Sequence, residues 1–242
     1  MPNVARLGEQ GVTFTGAHCP MAHCCPARAT FFSGLYPSRH GVWNNVANEM
    51  ALSRGLNPGV RLFSEDLRDA GYRLAMSGKW HVSIEESPGD RGGEELPTTS
   101  AIKPYPTEKR WQELHECAAT PDSAERAPGM ILRRGYPKDD RLYGEGPLNR
   151  HDVASTQDAV EALPRLAASG KPWALFVGPI QPHAPYVTSA KYRDMYRLED
   201  IPLPRSYEDA MADKPGYYRK LRQRHFDQLS PDETRDAIRH FW

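Results

Sequence analysis

The sequence predicts an α/β fold around a mainly parallel β-sheet, because a helix, a glycine turn and a short strand follow one another twice. In the first unit, the segment RLFSEDLRDAGY (residues 61–72) is amphipathic and predicts a helix that ends at Gly71. The strand-like YRLAMSG follows at once. In the second, a helix predicted over 152–168 is followed by Gly170 and then by the almost wholly apolar WALFVG (173–178). Such runs are typical of strands covered on both faces, and helices that alternate with them indicate a parallel sheet.

The elements near the N-terminus follow from local patterns. Residues 4–10 indicate the end of a short helix, and GVTFTGA (11–17) alternates as a β-strand does. A helix is predicted over 26–33, because Pro26 suits a first helical turn and Gly34 suits a helix end.

The C-terminal half is predicted to be mainly helical. Ser155 is a candidate N-cap of the helix before the second strand, with Asp158 three residues further on. A helix is predicted over 217–224, and the last segment, SPDETRDAIRHFW, begins with a capping box formed by Ser230 and Glu233.

Residues 84–150 differ from the rest of the chain. They hold many proline, glycine and charged residues and show no clear strand. We expect a loop-rich excursion within one domain, and we expect its loops to shape specificity.

The composition excludes several classes of protein. The 242 residues carry 31 Lys and Arg against 31 Asp and Glu, so no basic field indicates a nucleic-acid partner. No apolar run reaches the roughly 20 residues of a membrane helix, and no signal peptide is visible, so a cytoplasmic location is the default expectation. Three of the four cysteines fall within seven positions, which does not make a disulfide framework.

Two polar segments follow the predicted strands directly. SGKWH contains Lys79 and His81, and GPIQPHAPY contains His183. Ligands of parallel sheets bind beyond the carboxyl ends of the strands, so both segments are candidates for a binding edge.

The run HCCPARATFFSG (23–34) allows three interpretations. Cysteine is a small buried hydrophobe, so Cys24 and Cys25 are candidates for packing. With His18, Cys19 and His23 they also form a cluster of soft ligands for zinc, although adjacent cysteines fit one tetrahedral ion poorly. Alternatively, one cysteine is a reactive group at a helix N-terminus, where backbone N–H groups and an arginine one turn along favour negative charge.

The same run resembles the sulfatase signature, Cys-x-Pro-Ser/Ala-Arg followed by a short apolar stretch and glycine. Further blocks around it are similar to that family and occur in its order. MPNVARLGEQGVTFTGAHC resembles the segment that leads into the signature, and LYPSRHGVWNN resembles the segment that follows it. GYRLAMSGKWH resembles the second signature ending in Gly-Lys-x-His, and FVGPIQPHAPY resembles a later strand with His-x-Pro. The resemblance covers most of residues 1–83 and 152–190.

The resemblance implies a catalytic group at Cys24. In sulfatases this cysteine is oxidised to formylglycine by a maturation enzyme, and the hydrated aldehyde is the nucleophile and a metal ligand. Arg28 is then implied to hold the hydrated aldehyde and neighbouring charge, and His81 to hydrogen-bond it as a candidate base.

The resemblance also implies substrate-binding residues. Lys79 matches the lysine that contacts the sulfate, and His183 matches the histidine that contacts sulfate or protonates the leaving oxygen. Asn45, or its neighbour Asn44, matches an asparagine that lines the pocket in choline-sulfatase-like and phosphonate-hydrolase-like members. We expect His40 to be structural.

The chain also departs from the family pattern. The family binds Ca²⁺ through carboxylates that precede and follow the segments matched here, and a pair at Asp139 and Asp140 lies in the loop-rich excursion without a strand before it. We therefore expect residues 1–242 to form part of an N-terminal catalytic domain. Its fold would be a partial alkaline-phosphatase-like three-layer αβα sandwich that lacks the first strand and the late strands.

The predicted function is a sulfuric ester hydrolase acting on a small-molecule sulfate ester, impaired by the missing metal-binding segments. The alternatives are a phosphonate monoester or phosphodiester hydrolase of the same superfamily, and an inactive fragment. The expected non-substrate partner is the formylglycine-generating maturation enzyme.

Overall fold

A computed structural model describes residues 2–48, 51–100, 126–131 and 141–242. The helices are α1 (Pro2–Gln10), α2 (Cys24–Ser33), α3 (Pro37–His40), α4 (Phe63–Asp69), α5 (Arg150–Ala167), α6 (Ala190–Arg193), α7 (Gly216–His225) and α8 (Pro231–Phe241). The strands are β1 (Arg73–Gly78), β2 (Glu94–Glu95), β3 (Tyr143–Glu145), β4 (Trp173–Gly178) and β5 (Tyr186–Thr188). Two short 3₁₀ turns cover Leu198–Asp200 and Phe226–Gln228.

All strand pairs in the described residues are parallel, as the alternating pattern predicts. The first sheet has the order β2-β1-β4, and β1 and β4 run in register from Arg73 beside Trp173 to Gly78 beside Gly178. The second sheet pairs β3 with β5. The prediction of an α/β fold with a parallel sheet is confirmed.

Helices cover β1 on both faces. On one face, the aromatic ring of Phe32 from α2 stacks on Phe63 from α4 with ring centroids 5.2 Å apart, and lies 4.8 Å from Trp80. On the other face, Leu166 of α5 packs with Ala75 of β1. Residues 74–78 of β1 are all buried, so β1 is the centre of a helix–sheet–helix arrangement.

Strand β4 is less covered than its sequence predicts. Residues 174–177 are half-buried, and Trp173 is 39% exposed. Within the described residues β4 pairs with β1 alone, so it lies at an edge of this sheet and its apolar side chains are not enclosed on both faces.

Two local predictions need correction: a strand near the N-terminus and the N-cap of α5. Residues 11–17 form no strand, and Val12 and Phe14 are 78% and 80% exposed. A strand needs a neighbour for its backbone groups, and none of the described segments pairs with this one. The N-cap of α5 is Asn149, which accepts a hydrogen bond from the His151 N–H at 2.9 Å, whereas Ser155 lies inside the helix.

The excursion over 84–150 contains two short strands in its described part, β2 and β3, contrary to the expectation of no strand. Both are two or three residues long, which is too short for a periodic sequence signal. The Asp139–Asp140 pair lies outside the described residues. Among the residues that the structure describes, no helix combines the length and apolar content that a bilayer crossing requires.

Candidate active site

The candidate site begins at the N-terminus of α2. Its first residue is Cys24, preceded by His23 in an extended conformation, and Gly34 ends the helix with a φ of 69°. The local prediction of this helix is confirmed, starting two residues before Pro26. The Cys24 side chain is partly exposed, and its Sγ lies 3.8 Å from the Nζ of Lys79. A thiol at the positive end of a helix therefore faces a cation from the segment that follows β1.

Lys79 is placed by two glycines that let β1 and β4 approach each other closely. Gly78 has a φ of 85°, and a Cβ at this position would lie 2.9 Å from the carbonyl carbon of Gly178. A Cβ at Gly178 would lie 2.7 Å from the carbonyl oxygen of Lys79. The N–H of Lys79 donates to the carbonyl of Gly178 at 2.7 Å, which extends the ladder one residue beyond the strands.

Arg28 connects α2 to the segment after β1. Its Nη1 donates to the carbonyl of Lys79 at 2.6 Å and lies 3.4 Å from that of Trp80. Burial lowers the pKa of the guanidinium, and the neighbouring thiols of Cys24 and Cys25 oppose that shift. Arg28 is thus a half-buried cation that holds the backbone of the Lys79 segment against the helix.

His81 adopts a φ of 61°, a left-handed conformation that is costly for a residue other than glycine. Burial, and then the charges of Lys79, Arg28, His183 and His23 in that order, lower its pKa from 6.5 to about 3. The imidazole is therefore neutral near pH 7. Its Nδ1 lies 3.5 Å from the Sγ of Cys25.

Cys25 belongs to the hydrophobic core. Its side chain is fully buried, and burial raises the pKa of the thiol from 9.0 to about 11. Its backbone N–H donates to the Oδ1 of Asn45 at 3.1 Å. The two cysteines therefore differ in environment: Cys25 fits the packing interpretation, and the partly exposed Cys24 has the position that the reactive interpretation requires.

His183 lies in the loop between β4 and β5. Its side chain is exposed, and its Nδ1 is 2.6 Å from the carbonyl oxygen of Ala184. The carboxylate of Asp152 in the first turn of α5 holds this loop, accepting the N–H groups of Ile180 at 2.7 Å and Gln181 at 2.9 Å.

Sequence reasoning missed the role of Asp152 and the contact of Asn45 with α2. An acidic residue in a helical first turn is a visible signal, but its partners lie 28 and 29 positions away. Asn45 was expected to line a pocket. In the structure its Oδ1 accepts the Cys25 N–H at the start of α2, and its role in lining a pocket stays a prediction. His40 is structural as expected, because its Nδ1 accepts from the Val42 N–H at 3.1 Å and its Nε2 lies 3.1 Å from Thr30 Oγ1.

The described residues do not provide a metal centre. No group of three or more histidine, cysteine, aspartate or glutamate side chains in the described ranges is arranged to hold an ion. The zinc interpretation therefore has no support there, since Cys19 is exposed and its Sγ lies 3.1 Å from the carbonyl of Met21. The hard oxygen ligands that Ca²⁺ prefers are likewise not gathered around Cys24 in this part of the chain.

The fold is shared with a solved enzyme structure. The structure matches a phosphonate monoester hydrolase of Agrobacterium radiobacter with a TM-score of 0.58 and 24% identity, covering 99% of this chain and 50% of that one. This likeness shows the alkaline-phosphatase-like fold. The predicted fold class is thereby confirmed.

The sequence comparison then gives the family. The family model described as Sulfatase matches residues 1–230, and the chain belongs to the sulfatase family. A choline-sulfatase of Rhizobium meliloti (strain 1021) is 30% identical over 205 residues, which are 81% of this chain and 36% of that protein. A sulfatase of Formosa agariphila is 29% identical over 220 residues, 88% of this chain and 40% of that protein. The chain thus spans well under half the length of these relatives.

Proposed function

We propose that this chain carries the nucleophile and anion-binding part of a sulfuric ester hydrolase that acts on small-molecule sulfate esters. The observation that carries the proposal is the contact of Cys24 at the start of α2 with the ammonium group of Lys79, beyond the end of β1. Membership of the sulfatase family supports the same reaction class.

The electrostatics of the site suit an anionic ester. A sulfate ester brings a negative charge that grows on the leaving oxygen as the bond to sulfur breaks, so fixed positive groups stabilise the transition state. Lys79 offers a charged donor to the sulfate oxygens. The N-terminal N–H groups of α2 add a positive potential at Cys24, and Arg28 adds a charge that is fixed by its hydrogen bonds.

Cys24 is proposed to act after conversion to formylglycine by a maturation enzyme. The hydrated aldehyde supplies two hydroxyl groups on one carbon, of which one attacks sulfur and the other later allows sulfate to leave. Position 24 fits this group, because its side chain is partly exposed beside a cation, while that of Cys25 is enclosed in the core.

The remaining side chains have distinct proposed roles. His81 is neutral and is proposed to hydrogen-bond the oxygens of residue 24. His183, held near His81 by the loop that Asp152 anchors, is proposed to contact the sulfate or the leaving oxygen. Asn45 uses its carbonyl oxygen at the helix start, so its amide nitrogen is the group proposed to face the substrate.

Calcium is the cation that the family implies, but the described residues do not fit it, and no step here is assigned to it. Because the chain covers 36% to 40% of two curated relatives, we propose that its own activity is strongly impaired. A normal sulfatase rate toward an aryl sulfate from the purified chain alone would contradict this.

The experiment that tests the nucleophile is mass spectrometry of the tryptic peptide over residues 7–28 after co-expression with a formylglycine-generating enzyme. We expect residue 24 to lose sulfur and two hydrogens and to gain one oxygen. Cys25→Ala should keep this change, and Cys24→Ala should abolish it. An intact, alkylatable Cys24 under these conditions would overturn the proposal. Assays with sulfate and phosphonate esters on a longer homologue carrying the same residues would separate the two hydrolase classes.

A further inference from the structure

The side chain of Cys25 occupies the variable position of the signature and has no role in the proposed reaction so far. It is nevertheless the group that the structure places against His81. The Sγ of Cys25 and the Nδ1 of His81 are 3.5 Å apart, although the two residues are separated by 56 positions in the chain. Cys25 is 0% exposed, so this contact is shielded from water.

The surroundings of the sulfur indicate the direction of this hydrogen bond. A thiol carries one S–H donor, and Cys25 is 0% exposed, so water does not reach that donor. The S–H proton then needs an acceptor of its own, and the Nδ1 lone pair of His81 lies within the range of a sulfur hydrogen bond. Because buried polar groups are normally paired, the arrangement that satisfies both groups is S–H donating to Nδ1.

We infer that Cys25 is a positioning residue that fixes the tautomer of His81, with Nδ1 as the acceptor of the Cys25 thiol and the ring proton on Nε2. The tautomer of a neutral imidazole is set by the hydrogen bond that one nitrogen makes. The contact also holds a ring whose backbone has an unfavourable φ of 61°.

This assignment changes the expected chemistry of His81, and in that respect it rests on the proposed function. A neutral ring with its proton on Nε2 donates a hydrogen bond from that nitrogen and cannot take up a proton there. His81 then acts as a donor to the oxygens of residue 24 or of the ester. The base role that the sequence resemblance implied would require the opposite tautomer.

The test is the tautomeric state of His81, read from two-bond ¹H–¹⁵N correlations of the chain labelled with ¹⁵N-histidine and with Cys24 unconverted. The chain has nine histidines, and the signals of His81 are assigned by their loss in His81→Gln. His40 is the internal reference, because its Nδ1 accepts from the Val42 N–H and its proton is therefore on Nε2.

We expect the wild-type His81 to show the Nε2–H pattern. Cys25→Ala should populate the Nδ1–H form, and Cys25→Ser, which keeps a donor of similar shape, should restore the wild-type pattern. An unchanged His40 pattern shows that each variant is folded. An Nδ1–H pattern for wild-type His81, or a single Nε2–H pattern that persists in folded Cys25→Ala, would overturn the inference. The wild-type spectrum tests the inference even if Cys25→Ala does not fold.

Different experimental results would contradict this inference and the proposed function. An absent aldehyde at residue 24 would remove the proposed nucleophile while leaving the His81 spectrum as expected. A wrong tautomer with the aldehyde present would remove only the role of Cys25.

Discussion

The close approach of β1 and β4 at Gly78 is the structural feature on which the position of Lys79 depends, and Gly78→Ala tests it. The new Cβ would contact the backbone of Gly178, with 2.9 Å to its carbonyl carbon and 3.2 Å to its nitrogen. Backbone atoms of a neighbouring strand cannot rotate away as a side chain can. The strands must therefore separate, and Lys79 must move with the end of β1.

The expected loss of stability in Gly78→Ala is the sum of two contributions. An L-residue in the left-handed region at the φ of 85° is disfavoured by about 1–2 kcal/mol. Overpacking against a well-packed neighbour adds roughly 1–3 kcal/mol. We expect Gly78→Ala to lower the free energy of unfolding by about 2–5 kcal/mol, a large part of the roughly 5–15 kcal/mol that stabilises a typical domain.

Urea unfolding followed by tryptophan fluorescence measures the change, and Gly34→Ala is the matched control. Gly34 also has a left-handed conformation, with a φ of 69°, but a Cβ there meets nothing within 4 Å. Its variant should therefore lose only the conformational part, about 1–2 kcal/mol. Equal losses in the two variants would refute the reasoning, because the close contact of the strands would then contribute nothing.

Three further predictions concern pH, thiol reactivity and the loop after β4. The hydrogen bonds from Arg126 lower the pKa of Glu233 from 4.5 to about 2. The ionised Glu233 therefore stabilises the folded state fully above about pH 4.5, and this contribution is lost as the pH falls towards 2. In Glu233→Gln the urea midpoint should depend less on pH in this window. With iodoacetamide at pH 8, the exposed Cys19 should be alkylated quickly and Cys25 only on unfolding, because burial raises the pKa of Cys25 to about 11. Asp152→Asn should leave one loop N–H without an acceptor, speed its hydrogen exchange and lower the unfolding free energy by about 1–3 kcal/mol.

Each of these predictions has a result that would contradict it. A Glu233→Gln profile like that of wild type would argue against the ion pair with Arg126. Alkylation of Cys25 at the rate of Cys19 in the folded chain would show that the core around α2 is open. Asp158→Asn removes the carboxylate that accepts from the Thr98 N–H, so it should spare the loop amides; equal protection of those amides in Asp152→Asn and wild type would contradict the anchoring role.

The elements that the sequence predicted correctly are those with local causes. Helix α2 has a proline in its first turn and a glycine at its left-handed end, and α8 has the reciprocal bonds of Ser230 and Glu233. Strand β4 was visible as a short apolar run, and β1 as a strand-like segment directly after a helix and a glycine turn. The segment over 11–17 looked equally strand-like, and the prediction was wrong there, because alternation does not supply the neighbour that a strand needs.

The candidate site shows the same division. The motif resemblance selected Cys24, Arg28, Lys79, His81 and His183 from the sequence, and the structure brings Arg28 and Lys79 into direct contact across α2 and β1. The contacts that hold these groups in place were not predicted. Asp152, Asn45 and Cys25 act through partners 20 to 56 positions away, and no pattern within one helix or strand specifies such a pair.

The amino-acid order alone determined the type of fold, the two helix–turn–strand units and the family motifs, because periodicity, capping and turn residues act over a few neighbours. Only the tertiary structure decided which of two adjacent thiols is enclosed and which is accessible, and which carbonyl, carboxylate or thiol orients each site residue. Those choices depend on burial and hydrogen bonding between segments that meet only when β1, β4 and α2 pack together.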